Sequence, residues 1–514
     1  MISQPVFFAR IYLVMLKKNL EIISKYYQPL LFTAVFLVFV LLRFVNLGFS
    51  EYIPDETTVM TPVRDSTINS DFLLMQRKGP VQFVAAQFMR LLGFSVYDEF
   101  AFRLPFFIAS VLGLYFYYKF LQNLEGRFVA LVATLFLGLN GLMVAFGRVV
   151  QYQSFNLLFS FAGLYFLSLL KNSQNRIRNS MLGSLFLCLS LLSHWDVVFV
   201  FAPAAVLVFK YVLFGDMRKR AKYSSIGAMS LPIIVVLFPF IMNYANNALT
   251  DSSNLEYFQG RVSLTEFSIE RIMRKLQNYT EKVQLYNPFV YLYSIGILAF
   301  AGAVGSKRSF PYFYWFLLTL GIFLLFVEKP GTHVYNFLYP LSVLAAFGAY
   351  YFYQLFKGYL SKAVVVSLAA LFLFFAYQDY LLFVDVKVDY PWSQEKILGH
   401  KTRDYSAKNL PNNIIGFPIY RGWEKAAEFL SGENAREGRD IPYITNEESS
   451  ISGFYLDLKY GRGDEYYAIG VKRPLTFVYD YTFPSIKNKK TIKRIEANGE
   501  NTMRIYKVVT INEQ

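Results

Sequence analysis

The chain has 514 residues, 55% of them hydrophobic and only 17% charged, below the roughly one-quarter charged share typical of soluble domains. Its net charge of +15 would suit a nucleic-acid partner, but the placement of the charge excludes one. Short segments between apolar runs (the N-terminus to Lys25, 119–127, 171–180, 210–222, 307–308 and 357–362) hold roughly eighteen Lys and Arg against about three acids, as the positive-inside rule expects of cytoplasmic loops. These basic loops suit an anionic inner leaflet and leave no basic stripe for a phosphate backbone. The one cysteine, Cys188, sits in the apolar run Leu185–Leu192. It excludes a disulfide framework or a cysteine metal site and reads as a small buried hydrophobe.

Taken in chain order, residues 1–28 have no cleavable signal-peptide pattern. They are expected to form an inner-surface amphipathic segment, helical over 5–25. About eleven spanning helices follow, near 29–47, 102–121, 128–146, 154–170, 181–194, 197–214, 228–245, 288–305, 311–327, 334–354 and 363–383. With the N-terminus cytoplasmic, every short basic loop falls inside, and the odd count puts the C-terminal region outside. Within the membrane domain 29–383, two outer loops are long, 48–101 and 246–287. Their helical runs Val81–Phe94 and Leu264–Tyr279 are expected to lie on the outer interface.

Residues 384–514 lose the apolar runs and read as a small extracytoplasmic α/β domain. Helices are expected at 423–431 and 450–460, and strands at Ile441–Thr445, Leu475–Tyr481, Thr491–Ala497 and Met503–Val509. Asn498-Gly499 is a hairpin turn signal. The expected fold class is therefore an α-helical polytopic protein of the cell membrane with a small outer α/β domain.

Charged groups beside membrane helices are costly and point to function. Asp55 and Glu56 follow Pro54 just beyond the first apolar run, where they could also cap an interfacial helix. The same outer face receives Lys78-Gly79-Pro80, Asp98-Glu99, Arg103-Leu104-Pro105, Arg148, His194-Trp195-Asp196 and Glu328-Lys329-Pro330-Gly331-Thr332-His333. Acids and bases gathered at one interface suit a substrate with an apolar tail and an anionic head. Arg103 could equally pair with Asp98 or Glu99, and His194 with Asp196 reads as a hydrogen-bonded pair at a tight turn.

In order and sidedness, these pieces resemble the GT-C glycosyltransferases, in particular the bacterial protein O-mannosyltransferase and lipid A aminoarabinose-transferase branch. The resemblance runs over 29–383 and includes a trailing outer domain. It implies a polyprenyl-phosphate sugar as donor and an unknown acceptor (protein, lipid or glycan) attacking with inversion. Asp55 would be the general base and Glu56 a helper or a cap. Lys78, Arg148 and His333 would hold the donor phosphate, supported by Arg103, Asp98, Glu99, His194 and Lys329.

Gln151 and Gln153 stand where many relatives carry an acid, and no Asp-x-Asp triplet or His cluster appears elsewhere in the outer loops. No metal and no cofactor are therefore expected. A transporter or lipid flippase is the main alternative, and it would favour inverted repeats with polar groups near the midplane. A non-catalytic envelope scaffold would leave Asp55 dispensable. An acyltransferase or glycan polymerase would want a His- or Arg-centred outer loop.

Overall fold

In a computed structural model the described residues are 29–510, apart from 77, 172–173, 216–217, 249–255, 257–259, 261–267, 289, 328–330, 387–395, 398–399, 402–414, 417–419 and 473–488. The expected segment 5–25, the strand Leu475–Tyr481 and Lys329 lie outside them. A helix occupies each of the eleven expected apolar segments. The first is α1, Pro29–Phe44. The loop after it folds into α2 (Pro54–Arg64), the single turn α3 (Ser70–Leu74) and α4 (Val81–Leu91).

Next come α5 (Glu99–Glu125), capped at its start by Asp98, and α6 (Arg127–Gly138). The run expected as one helix over 128–146 is broken. It stops at Gly138 and restarts as α7 (Gly141–Phe146), with the Asn140 side chain accepting from the Met143 amide. Gly138 and Gly141 are weak helix formers, and Asn140 is a good cap, so the interruption is local chemistry.

The chain continues through α8 (Gln153–Ser168), α9 (Arg176–Ser193), α10 (Val198–Val208), α11 (Lys219–Pro232) and α12 (Phe238–Asn243). Then follow α13 (Ile269–Gln284), α14 (Val290–Gly305), α15 (Phe310–Phe326), α16 (Tyr335–Leu355) and α17 (Tyr359–Phe383). Among the described residues six helical stretches are long and apolar enough to cross a membrane: Glu99–Glu125, Gln153–Lys171, Trp195–Leu213, Lys219–Asn246, Lys307–Phe326 and Tyr359–Phe383.

The C-terminal part holds α18 (Trp423–Glu437) and α19 (Ser449–Tyr455). Its strands are a two-residue ladder, β1 (Lys396–Ile397) with β2 (His400–Lys401), and a sheet of β3 (Tyr443–Thr445), β4 (Glu465–Val471), β5 (Lys489–Ala497) and β6 (Glu500–Val509). The sheet order is β3-β4-β6-β5, parallel between β3 and β4 and antiparallel elsewhere. Asn498 and Gly499 both have positive φ in the β5–β6 turn, as the sequence signal requires. Strand β4 was not foreseen.

One apolar core runs through the helical bundle, and a second joins the C-terminal unit to the loop after α1. Trp423, Leu430, Phe454, Ile469 and Ile505 pack in the same cluster as Tyr52, Met60, Phe83 and Phe102. The described C-terminal helices α18 and α19 and the sheet β3-β4-β6-β5 are therefore packed against the loop that follows α1.

Within the bundle, α14 and α16 approach so closely that a Cβ on Gly348 would lie 1.8 Å from the Leu298 carbonyl oxygen. Gly296, on α14, has open space around it. Gly348→Ala should lower the midpoint of thermal unfolding in detergent, by about 1–3 kcal/mol or more of stability. Gly296→Ala should leave it unchanged or raise it, since Ala favours a helix by about 1 kcal/mol over Gly.

Candidate functional site

The first turn of α2 separates its two acids. Glu56 points inward and is fully buried, while Asp55 stays 40% exposed. Glu56 Oε1 accepts from Arg103 Nε (2.9 Å) and from the Val150 amide (2.8 Å). Its Oε2 accepts from Arg103 Nη2 (2.8 Å) and from the Ile53 amide (3.0 Å). These bonds close a capping box at the start of α2 and form a two-pronged ion pair with Arg103.

The partner of Arg103 is thus Glu56, neither Asp98 nor Glu99. Arg103 also donates to the carbonyls of Leu47, Ser50 and Glu51. Asp98 caps α5 through the Ala101 amide, and Glu99 accepts from the Tyr455 hydroxyl at 2.5 Å.

Lys78 is brought to Asp55. Its ammonium lies 3.6 Å from Asp55 Oδ1, with 27% of the side chain exposed. The next residue explains why. Gly79 has φ +80°, and a Cβ there would meet the Leu192 carbonyl oxygen at 2.2 Å. Only glycine lets this turn lie flat against the end of α9. That contact also sets Lys78 near His194, the residue that ends α9.

Arg148 is placed differently from expectation. It is buried, and its donors go to main-chain carbonyls: Nη1 to Leu42, Arg43 and Val45, Nη2 to Asn46, and Nε to Gly416. These carbonyls cluster at the C-terminal end of α1, where a cation is favoured by the helix dipole. Burial, together with the nearby cations Arg103 and Arg43, lowers its pKa to about 9, so it stays charged at neutral pH. Its guanidinium is thus occupied by the protein's own carbonyls.

His194, Asp196 and His333 form a cluster of their own. Asp196 Oδ1 is 3.1 Å from His194 Nδ1, and Oδ2 is 2.6 Å from His333 Nδ1. Tyr335 donates to Oδ2 at 2.8 Å, the Tyr152 hydroxyl lies 3.2 Å from His333 Nδ1, and the Tyr152 ring stacks on His194 at 3.9 Å. The expected His194–Asp196 pair at a turn is present, joined by His333.

Sequence reasoning missed the groups that tie the C-terminal unit to this loop. Glu51 accepts from the amides of Arg421, Gly422 and Trp423, at the N-terminus of α18. Arg421 donates back to the Tyr52 carbonyl (3.1 Å), and the Tyr455 hydroxyl accepts from the Tyr52 amide (2.8 Å). Burial, with Glu99 close by, holds the Tyr455 hydroxyl well above its usual pKa, so it remains a donor to Glu99. Glu51 stands only four residues before Asp55, but nothing local marks its partners some 370 residues away.

The two loop acids should separate in stability measurements. Glu56→Gln or Arg103→Met leaves a buried partner unmatched and should cost about 3–5 kcal/mol. The double variant should cost less than the sum of the two. Asp55→Asn breaks only an exposed pair and should change stability by less than about 1 kcal/mol. Unfolding curves of the purified variants in detergent check all three.

The chain is similar to known proteins in part of its sequence and in its fold. The family model for dolichyl-phosphate-mannose-protein mannosyltransferase matches residues 78–243. No curated protein matches the chain by sequence. Among solved structures, ArnT from Cupriavidus metallidurans bound to undecaprenyl phosphate matches with TM-score 0.53 at 13% identity, covering 93% of this chain and 98% of that one. Its apo state matches with TM-score 0.51 at 12% identity, over 94% and 98%. The Archaeoglobus fulgidus oligosaccharyltransferase tethered to an acceptor peptide gives 0.47 at 11% identity, over 84% and 63%. The chain thus shares the fold of the two ArnT structures, and its residues 78–243 are similar in sequence to the dolichyl-phosphate-mannose-protein mannosyltransferase family.

Proposed function

We propose that the chain is an integral membrane glycosyltransferase that moves a sugar from a polyprenyl-phosphate donor to an acceptor at the outer face. The observation that carries this reading is the Asp55–Lys78 pair, two half-exposed opposite charges 3.6 Å apart in the first outer loop. The neighbouring acid, Glu56, is locked into the core and leaves Asp55 as the reactive one. The undecaprenyl phosphate bound to the similar ArnT supports a lipid-phosphate donor.

In this mechanism an acceptor hydroxyl or amine attacks the anomeric carbon as the bond from that carbon to the phosphate oxygen breaks, with inversion. Asp55 takes the acceptor proton, a role worth about 10²–10⁴-fold. The leaving polyprenyl phosphate keeps the bonding electrons, and Lys78 offsets the charge that develops on it. At 3.6 Å the Asp55–Lys78 contact is longer than a good charge-assisted hydrogen bond, so an incoming phosphate can compete for the lysine. Arg148 acts as a positioning residue, holding the end of α1 from which the loop departs. The chain crosses the membrane about eleven times, with the N-terminus cytoplasmic and the C-terminal unit extracytoplasmic.

Reconstitution with a radiolabelled polyprenyl-phosphate sugar tests the chemistry. Asp55→Asn should reduce transfer by about 10²–10⁴-fold, and Lys78→Ala should weaken both kcat and donor KM. Undiminished transfer by Asp55→Asn would remove the base from the mechanism, and solute flux without transfer would favour a transporter. A topology reporter fused after Gln514 should read as extracytoplasmic, and a cytoplasmic signal would overturn the assigned sides.

A further inference from the structure

Three helices part where α5 ends, α10 ends and α15 begins. Phe120 on α5, Val206 and Leu207 on α10, and Tyr312, Trp315 and Leu318 on α15 line a groove that is mostly apolar. Phe120, Leu207, Tyr312 and Trp315 form a buried floor, whereas Val206 (53% exposed) and Leu318 (49% exposed) stand at an open side. Each wall comes from a different helix, so a hydrocarbon chain lying in the groove meets protein on three sides.

One polar group is left over inside. Trp315 is only 3% exposed, and its indole N–H has no hydrogen-bond partner among the described residues. A buried donor without an acceptor is costly, and a hydrocarbon tail supplies none. The ester carbonyl of a glycerolipid supplies one.

Charge gathers at the mouth. Lys307 and Arg308 lie in the turn before α15, and Lys210 lies just after α10. All three are exposed. Arg308 Nη2 is 3.1 Å from Glu125 Oε2 at the end of α5, and Lys210 stands near the same carboxylate. Glu125 Oε1 accepts from the Tyr312 hydroxyl at 3.1 Å. Three cations against this one acid leave the mouth net positive. Trp315 lies about two helical turns deeper than Arg308, so a headgroup at the mouth and an ester carbonyl at the indole fall on one lipid molecule.

We propose that this groove binds one anionic diacyl phospholipid. Lys210 and Arg308 hold its phosphate, Trp315 Nε1 donates to an ester carbonyl, and an acyl chain lies against Phe120, Leu207 and Leu318. A zwitterionic lipid satisfies the indole but gains less from the cations. Basic segments of this kind attract anionic lipids of the cytoplasmic leaflet. Naming that leaflet rests on the sides assigned under the proposed function, whereas the groove and its lipid class do not. The site is distinct from the Asp55–Lys78 pair and takes no part in the transfer step.

The test uses the full-length protein in phosphatidylcholine vesicles that carry, in both leaflets, rising amounts of phosphatidylglycerol brominated on its acyl chains. Brominated phosphatidylcholine is the comparison. Bromine quenches an indole that it touches, so tryptophan emission reports occupancy with no sugar donor present. Brominated phosphatidylglycerol should reach half-maximal quenching at a mole fraction at least about fivefold lower, the gain expected of one cation near an anionic headgroup. Lys210→Gln and Arg308→Gln should each lose most of this preference, and Val206→Phe should lose it by narrowing the groove without altering charge. Lys357→Gln, in a different basic loop, should retain it. Trp315→Phe should remove the preferentially quenched emission. Equal quenching of wild type by the two lipids, a readout that depends on no variant, would overturn the proposal. A preference that survives in Trp315→Phe would overturn it too, by placing the lipid elsewhere.

Discussion

The buried pair between Glu56 and Arg103 is the constraint on which the loop after α1 and the C-terminal unit packed against it depend. Removing both groups from water is costly, and they remain there because each is almost fully hydrogen-bonded. Glu56 ties together its own helix start, α5 through Arg103, and the turn after α7 through Val150. Arg103 in turn fixes the carbonyls of the 47–51 segment. The exposure of Asp55 follows from this. Adjacent residues on a helix diverge by about 100°, so burying Glu56 against Arg103 turns Asp55 toward the rim and Lys78.

A second set of bonds extends this frame to the C-terminal unit. Glu51 sits at the positive end of α18, where three backbone amides converge on its carboxylate. Tyr52 and Tyr455 pass the connection on to Glu99 at the start of α5, and Arg64 donates to the carbonyls of Gly453 and Phe454. The unit is therefore part of the wall that holds the Asp55 loop, and it shares that loop's apolar core.

How far the sequence could be read depended on the range of each signal. Apolar runs, flanking charges and the Asn498-Gly499 turn are local, and they located the helices and the last hairpin. The break at Gly138–Gly141 was written locally too, but a continuous apolar run masked it. Strand β4 follows two glycines and Asp464 and itself contains Gly470, so its turn-like composition hid it. In the site, order along the chain was enough to list Asp55, Lys78, His194 and His333 together, and the fold brings Lys78 to Asp55 and both histidines to Asp196. That order could not tell that Glu56 would take Arg103, or that Arg148 would turn to the carbonyls ending α1. Those choices depend on which buried partner lies nearest, and that is settled by tertiary contacts between residues some 50 to 100 positions apart.

The core that Tyr52 shares with Tyr455 and Ile505 has a consequence for the order of biosynthesis. The Tyr52 amide and the Tyr455 hydroxyl are 403 residues apart in the chain, and Ile505 lies near its end. A growing polypeptide can set its helices into the membrane early, but it must expose the apolar lining of the first loop until the last strand has been made. The Asp55 loop is therefore the first part of the site to be synthesised and the last to be locked. Truncation anywhere after α17 would leave the membrane bundle intact and the loop unbuttressed, its sticky surface open to chaperones and proteases.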